Sequence, residues 1–576
     1  MSGVNDFDAV DLGIIWSRLV SIADEMVSAL VRTSFSTMVR ESGDYSCMLF
    51  DARGQFLSQG TASVPSFTGT GPATLQGVLR AIPPDTLEDG DVLITNDPWI
   101  GTGHVYDVNV VKPIFHRGAL RGFALTVSHV ADIGGIGYGT GARDVYEEGI
   151  CIPPVKLFRR GEPNKFIFDL IEANVRFRQL VIGDIYSNIA ACNVGYQSFN
   201  DLLTEHHIGD FEPVANGIFA LARNAIAESL GALPGGVFRG SLPVEGIDDE
   251  MVLTLAVAVT ISKSGCAFDF AGTSPVVDRG INVPLCYTRA YSYFCFKTIV
   301  APNMPNNQAI LDFVSVAAPE NCILNAQRPY ATGGRHILGH YVAPLVFGAL
   351  AGAVPARVQA DSGMICQVNF RGRSPVGRSF SYILFTAGGY GAFADMDGRA
   401  ALPGPSNMIG IPIEIWEENT GVSVLRKEIL PDSGGAGEHQ GGAGQLIELR
   451  NDTGRPLDAT FFGSRTSLPA RGFNGGRDGA VRTLFVDGKP VTPKARLDLA
   501  PGAVVSLHEA GGGGFGPPEK RPARHIRADL EAGLIGKDYV RQWYLQQSAL
   551  LFDRDRVPNP SSGTAPNPVR RSRGEH

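Results

Sequence analysis

The chain has 576 residues, 44% of them hydrophobic and 19% charged, with a formal net charge of −8. That length holds several domains with cores of their own, and scattered charges of both signs offer nothing specific to nucleic acid or to an anionic membrane. No apolar run approaches the ~20 residues of a membrane span, and the acidic start "MSGVNDFDAVDLG" lacks the basic-then-apolar order of a secretory signal.

The first predicted element is an amphipathic helix. Ile15, Leu19, Ile22, Ala23, Met26, Val27 and Leu30 recur at helical spacing, with Arg18, Asp24, Glu25 and Ser28 between them. The pattern predicts an end near Arg40. "YSCMLF" and "QFLSQ" then flank an Asp-Ala-Arg-Gly turn, which reads as a hairpin. "DVLITND" and "VNVVKPIF" are further strands, and "GFALTVSHVADIGG" is a strand entering a glycine-rich loop. Residues 168–230 read mostly helical. After Pro234, "MVLTLAVAVTI" and "CAFDFAG" read as sheet strands, while "AYSYFCFKTIV" and "HYVAPLVFGALAGAV" read as buried helices. "GQLIELRND", "DATFFGS", "RTLFVDG" and "AVVSLHEAG" make the stretch from about 420 to 515 all-β.

The predicted fold class is therefore mixed α/β (α+β) and multidomain, with a glycine-rich, mainly β C-terminal region. The expected divisions are 1–165, a helix plus mixed sheet; 166–233, helical; 234–419, mixed α/β; 420–518, mainly β; 519–550, helical. The end, 551–576, has the composition of a disordered tail.

Seventy glycines exceed the usual ~7% share, so many turns and close backbone approaches are expected. "GGGGFG" (Gly511 to Gly516) formally fits G-x-G-x-x-G, but Pro517 and Pro518 stand where a dinucleotide-binding helix would begin. "DSGGAGEHQGGAG" lacks the Gly-Lys-Ser/Thr of a phosphate loop. Both read as turns between strands, and no nucleotide site is visible. The eight cysteines show no CxxC pairing and sit mostly in apolar surroundings, which predicts reduced, buried thiols in a cytoplasm.

Chemistry concentrates in "NDPWIGTGHVYDVNVV" (Asn96 to Val111). On a strand, positions i and i+3 face opposite sides, so His104 and Asp107 converge only on a turn, which Gly101 to Gly103 supply. Asp107 then stands at the mouth of a strand. Downstream, Phe123, Leu125, Val127 and His129 share one strand parity, putting His129 on an apolar face at the strand's end. A histidine there is either a hydrogen-bonded core residue or a ligand. With His104 and Asp107 it would make two imidazoles and a carboxylate, a set that suits zinc, manganese or iron. The His-x-x-Asp spacing speaks against a non-haem iron oxygenase triad, which uses His-x-Asp/Glu.

"NDPWIGTGHVYDVNVVKPIF" followed by "HVADIGG" resembles the signature of the hydantoinase B / oxoprolinase family. The resemblance continues in collinear order through "EANVRFRQLVIGDIYSNIAACNVG", "FDFAGTSPVVDRGINVP", "LPDSGGAGEHQGGAG", "GGGGFGPP" and "IRADLEAGLIGKDYVRQWY". It implies a subunit of an ATP-dependent enzyme that opens a cyclic amide or imide (hydantoin, oxoproline or lactam). The runner-up is a ketone carboxylase of the acetone or acetophenone type using bicarbonate, and the third reading is a non-catalytic scaffold subunit. ATP and its magnesium would sit on a separate hydantoinase-A-type subunit in a hetero-oligomer, which fits the missing phosphate loop. The resemblance further implies a divalent metal, zinc or manganese or else iron, held by Asp44, His104, Asp107 and His129. Asp97 and Asp132 lie in the same motifs and would steer a proton or orient a ligand.

There are departures from the family pattern. "PSFTG" (Pro65 to Gly69) carries Phe67 where relatives often have histidine, and "RPYATGGRHILGH" is rearranged, leaving Arg335 and His336 without an assigned role. Phe67 is expected to enlarge an apolar pocket wall for a less polar substrate.

Overall fold

A computed structural model describes residues 7–247 and 250–552. Most of the predicted tail, from residue 553 on, lies outside the described residues. Helix α1 (Ala9–Thr33) is capped by the Asp8 side chain, which accepts from the N–H groups of Val10 and Asp11. It stops well before Arg40. The Asp184 carboxylate accepts the N–H groups of Phe35 and Ser36 at 2.8 and 3.1 Å, drawing the chain out of helical geometry. Ser36 then caps a separate short helix, α2 (Thr37–Arg40).

The hairpin β1 (Tyr45–Asp51) and β2 (Phe56–Gln59) leads to helix α3 (Phe67–Ala81). Strands β3 (Val92–Thr95), β4 (Asp107–His116), β5 (Ala119–His129), β6 (Val155–Arg159) and β7 (Glu162–Pro163) complete an antiparallel sheet ordered β2-β1-β5-β4-β3-β6-β7. A short helix, α4 (Val145–Glu148), follows the glycine-rich loop after β5. Three helices come next: α5 (Lys165–Asn174), α6 (Arg178–Glu205) and α7 (Glu212–Gly231).

Both faces of this sheet are covered. Cys47, Leu49, Val108, Val110 and Ala124 meet α1 and α6, whereas Met48, Phe50, Val111, Phe123 and Leu125 meet α3. The strict alternation is the strand period of two. Because neither side faces water, the strands read as near-continuous apolar runs.

A second sheet, ordered β11-β10-β9-β8, is built from β8 (Gly236–Glu245), β9 (Val252–Ser262), β10 (Gly265–Asp269) and β11 (Val314–Ala317). Helices α8 (Leu285–Val300) and α9 (Gln308–Asp312) lie between β10 and β11; α10 (His336–Gly339) and α11 (Val342–Leu350) follow. Helix α8 packs on α3.

The remaining strands are β12 (Ile365–Arg373), β13 (Ser379–Ala387), β14 (Val422–Ile429), β15 (Gln445–Asn451), β16 (Leu457–Phe462), β17 (Thr483–Val486), β18 (Lys489–Val491), β19 (Arg496–Leu499) and β20 (Val504–His508). They form sheets ordered β13-β12-β16-β19 and β14-β15-β20-β17-β18. One core, with Val368, Phe370, Trp416, Ile447, Leu449 and Leu507, joins the two sheets. Strands from either side of residue 420 share a sheet, because β12 pairs with β16, Phe370 opposite Ala459. That residue therefore does not separate two structural units.

The glycine-rich segments are not tight turns. Gly435 donates to the Gly512 carbonyl, Gly512 to Gly442, Gly442 to Tyr390, and Gly514 to Arg477, so extended backbones lie directly against one another. Within Gly511 to Gly516 the left-handed region is reached at Gly516 alone. What these positions need is room: a methyl on Gly511 would overlap the Ser433 carbonyl. The helices Ala523–Glu531 and Lys537–Trp543 dock beside this bundle through Ile526, Val540 and Tyr539, packed with Ala436. Among the described residues no helix is long and apolar enough to cross a membrane.

Candidate metal centre

The β1–β5–β4 ladder places Tyr45 opposite Ser128 and Asp107 opposite His129. Residues directly opposed in an antiparallel pair point to one face, and side chains two apart along a strand share it. The Asp44 carbonyl accepts the His129 N–H at 3.2 Å, which extends the ladder one step beyond β1. Asp44, His129 and Asp107 thus form a row at one end of the sheet, on the face of Met48, Leu125 and Val111 that α3 covers.

His104 reaches the row from the turn before β4. Gly101 and Gly103 donate to the carbonyls of Asp97 and Pro98 at 3.0 and 3.1 Å, and Asn96 staples the turn by donating to the Val105 carbonyl at 2.6 Å. Gly103 is obligatory twice over. Its φ is +89°, and a Cβ there would lie 2.7 Å from Cδ of Arg335.

The donor atoms converge. His104 Nε2 lies 2.8 Å from Asp107 Oδ1, His129 Nδ1 lies 3.2 Å from the same oxygen, and Asp44 Oδ2 is 3.7 Å from His129 Nδ1. One ligand atom each from His104, Asp107 and His129 fits within 4.8 Å. His104 Nδ1 lies 3.2 Å from the Gly333 carbonyl, which can accept only from an N–H. That tautomer leaves Nε2 with its lone pair toward Asp107. Nε2 is buried, close to a carboxylate oxygen, and not aligned for a hydrogen bond. Two lone-pair atoms face to face call for a cation beside them, and an N, N, O set suits a divalent transition ion.

Electrostatics point the same way. Burial, then the charge of Arg335, pushes the His104 imidazole down to about 4, so it stays a neutral donor. Burial works against ionisation of Asp107, but its neighbours His104, Arg335 and His129 hold its carboxyl well below the usual range. Burial raises Asp44 to about 6, against the pull of His129. Arg335 is itself buried. It donates to Asp107 Oδ2 at 2.7 Å and to the Thr102 carbonyl at 2.6 Å, and its guanidinium sits 4.3 Å from the Tyr287 ring centre.

Asp44, His104, His129 and Arg335 line a small cavity of about 40 Å³. Val64, Phe67, Ile365, Phe385 and Met408 form its apolar wall; Tyr138, Tyr287, His336, His340 and Gln367 form much of the polar one. Phe67 thus stands at the site, as expected. Arg335 and His336 acquire a place that sequence reading did not give them. His340, Tyr138 and Tyr287 were missed; the spacing of His336 and His340, four apart on one helical face, was the available signal, and Tyr138 had none.

Asp97 and Asp132 do not join the cavity. Asp97 pairs with Arg328 at 2.6 Å and accepts the Trp99 N–H at 2.9 Å, which shapes the turn. Asp132 pairs with Arg176 at 2.5 Å and accepts that residue's backbone N–H, tying the "ADIGG" loop to the start of α6. Both carboxylates are occupied by arginines, so neither is poised to move a proton in the cavity.

A row of strand-end histidine and carboxylate side chains beside a cavity, on an α+β scaffold with a β-rich C-terminal part, defines a candidate metal site. The chain matches the hydantoinase B/oxoprolinase family over residues 8–518 and belongs to that family. It is 28% identical over 570 residues to the caprolactamase subunit beta of Pseudomonas jessenii, covering 94% of this chain and 96% of that one. It is 26% identical over 550 residues to 5-oxoprolinase 1 of Arabidopsis thaliana, of which the match spans 42%. The crystal structure of the ATP-dependent caprolactamase from Pseudomonas jessenii superposes with a TM-score of 0.87 at 27% identity, over 94% of this chain and 96% of that one. A nucleotide-free acetone carboxylase structure shares the fold, with a TM-score of 0.84 at 19% identity, over 92% and 79% of the two chains.

Proposed function

We propose that this chain is the hydantoinase-B-type subunit of a heteromeric, ATP-dependent amidohydrolase that opens a cyclic amide or imide such as a hydantoin, oxoproline or lactam. The observation that carries this reading is the convergence of His104, Asp107 and His129 beside a cavity that Asp44 also lines, in a chain that aligns end to end with a caprolactamase subunit. With no Gly-Lys-Ser/Thr phosphate loop in this chain, ATP and its magnesium are assigned to a hydantoinase-A-type partner. The eight free cysteines suit a reducing compartment such as the cytoplasm.

A divalent ion, zinc or manganese or else iron, would be held by His104, Asp107 and His129, with Asp44 beside them. When bound it would supply Lewis-acid polarisation of a carbonyl or an acidified water. The chain's own residues do the rest. His104 stays neutral and so offers a lone pair rather than a charge. Arg335 keeps the Asp107 carboxylate ionised and fixed. Asp44, raised by burial to about 6 in the ion-free site, lines the cavity beside them. Phe67, Ile365, Phe385 and Met408 exclude water and offer an apolar surface to ring methylenes. Phe67→His is expected to move substrate preference toward more polar rings, read as the ratio of kcat/KM for a lactam and a hydantoin; an unchanged ratio removes Phe67 from specificity.

The test is to reconstitute the chain with its ATP-binding partner and supply ATP, cyclic amides and labelled bicarbonate, with metal content measured on wild type and His104→Ala. Ring-opened product without label, lost together with the metal in the variant, supports the proposal. Label fixed into product from a ketone would replace it with carboxylation. A wild type that takes up no ion would leave the chain a scaffold.

A further inference from the structure

Glu148, the last residue of α4, is buried and plays no part in the scheme above. Its carboxylate Oε1 accepts the N–H groups of Thr332 at 2.7 Å and Gly333 at 2.5 Å, and Oε2 lies 3.5 Å from the Thr332 hydroxyl. These contacts join segments more than 180 residues apart in sequence.

The loop that Glu148 grips is the one that reaches the candidate metal centre. The Gly333 carbonyl accepts the Nδ1–H of His104. Two residues on, Arg335 binds Asp107 and the Thr102 carbonyl. The Thr332 carbonyl accepts the Arg335 N–H at 2.9 Å, so the loop is one tight turn leading into α10 with His336. A displaced turn would therefore disturb both His104 and Asp107.

From this chain of contacts we infer that Glu148 is a positioning residue for the metal centre. Through the Thr332–Gly333 turn it sets the tautomer and orientation of His104 and the place of Arg335 against Asp107. Imidazole ligands are tuned by what their other nitrogen donates to, and losing such a partner costs about 10–100-fold in metal affinity. Here the partner is a backbone carbonyl, so the side chain that holds the backbone is where the effect is found. The inference rests on reading His104, Asp107 and His129 as ligands.

The test is a cobalt(II) titration of the full chain, followed by the visible absorption of the bound ion, on wild type, Glu148→Ala, Glu148→Gln and His104→Ala. Circular dichroism and thermal melting are recorded on each. The expected result is a rise of about 10–100-fold in Kd for Glu148→Ala with the fold retained. Glu148→Gln, whose amide oxygen still accepts both N–H groups, should stay within a few-fold of wild type. A Glu148→Ala chain that melts lower yet binds cobalt with wild-type affinity and spectrum would make Glu148 a brace for the fold alone and overturn the inference. Should Glu148→Ala not fold, a Glu148→Gln with affinity reduced as far as His104→Ala would overturn it too. If His104→Ala itself binds as wild type does, the ligand reading fails instead, so the two failures are separable.

Discussion

Arg335 and Asp107 are a fully buried ion pair. Removing one partner of such a pair typically costs about 3–5 kcal/mol, because the other is left charged in a poor solvent. Arg335→Met should therefore destabilise the metal-free chain by about that much. A saturating divalent ion, by neutralising Asp107, should return a large part; urea unfolding with and without zinc checks it, and an equal loss in both conditions would count against ion binding at Asp107. Glu148 makes stability depend on pH. Burial, only partly offset by the Gly333 and Thr332 N–H groups, raises it to about 7 from the ordinary 4.5. Between these values the folded chain keeps a proton that the unfolded chain has released. Its contribution to stability is therefore full below about 4.5 and is lost as pH rises through about 7. Glu148→Gln should remove that downward slope, seen as a melting-temperature difference from wild type that grows from pH 4.5 to 7.

Among the elements, the turn before β4 is the most exacting. Gly103 combines a φ of +89° with a backbone so close to Arg335 that a Cβ would come within 2.7 Å of its side chain. Gly103→Ala is expected to cost about 1–3 kcal/mol in backbone strain and to weaken metal binding by displacing Arg335. Unchanged unfolding and metal content would show that the turn adapts. The turn was legible in the sequence because Gly101 and Gly103 precede a β-branched strand, and so was the hairpin after Asp44. The break at residues 34–36 was not. It depends on Asp184, some 150 residues away, capturing two amides, and no local signal records a distant carboxylate.

Across the whole molecule, the glycine-rich segments show how far composition can mislead about mechanism while pointing to the right residues. Gly511 lies so close to the Ser433 carbonyl, and Gly442 to the Arg399 carbonyl, that side chains are excluded by neighbouring backbones rather than by φ. Gly511→Ala should therefore behave as overpacking, costing about 1–3 kcal/mol or more, although the site lies outside the metal cavity. A lowered melting temperature with unchanged cobalt affinity is the expected outcome; loss of affinity at full stability would tie the bundle to the site instead. Likewise the β12–β16 pairing merges regions that composition separates at residue 420.

The sequence by itself determined the family, the α+β class and most helices and strands, and its motifs singled out Asp44, His104, Asp107 and His129 as candidates. Local periodicity and collinear motifs carry that information. Tertiary structure decided how they meet: the ladder puts three of them in one row, and the turn adds His104. It also decided that Asp97 and Asp132 are occupied by arginines, and that Arg335, His336, His340 and Tyr138 share the cavity. The physical reason is separation along the chain. Arg335, His336 and His340, more than 200 residues beyond the candidate ligands, reach the site through a loop whose placement depends on long-range backbone contacts, above all those of Glu148.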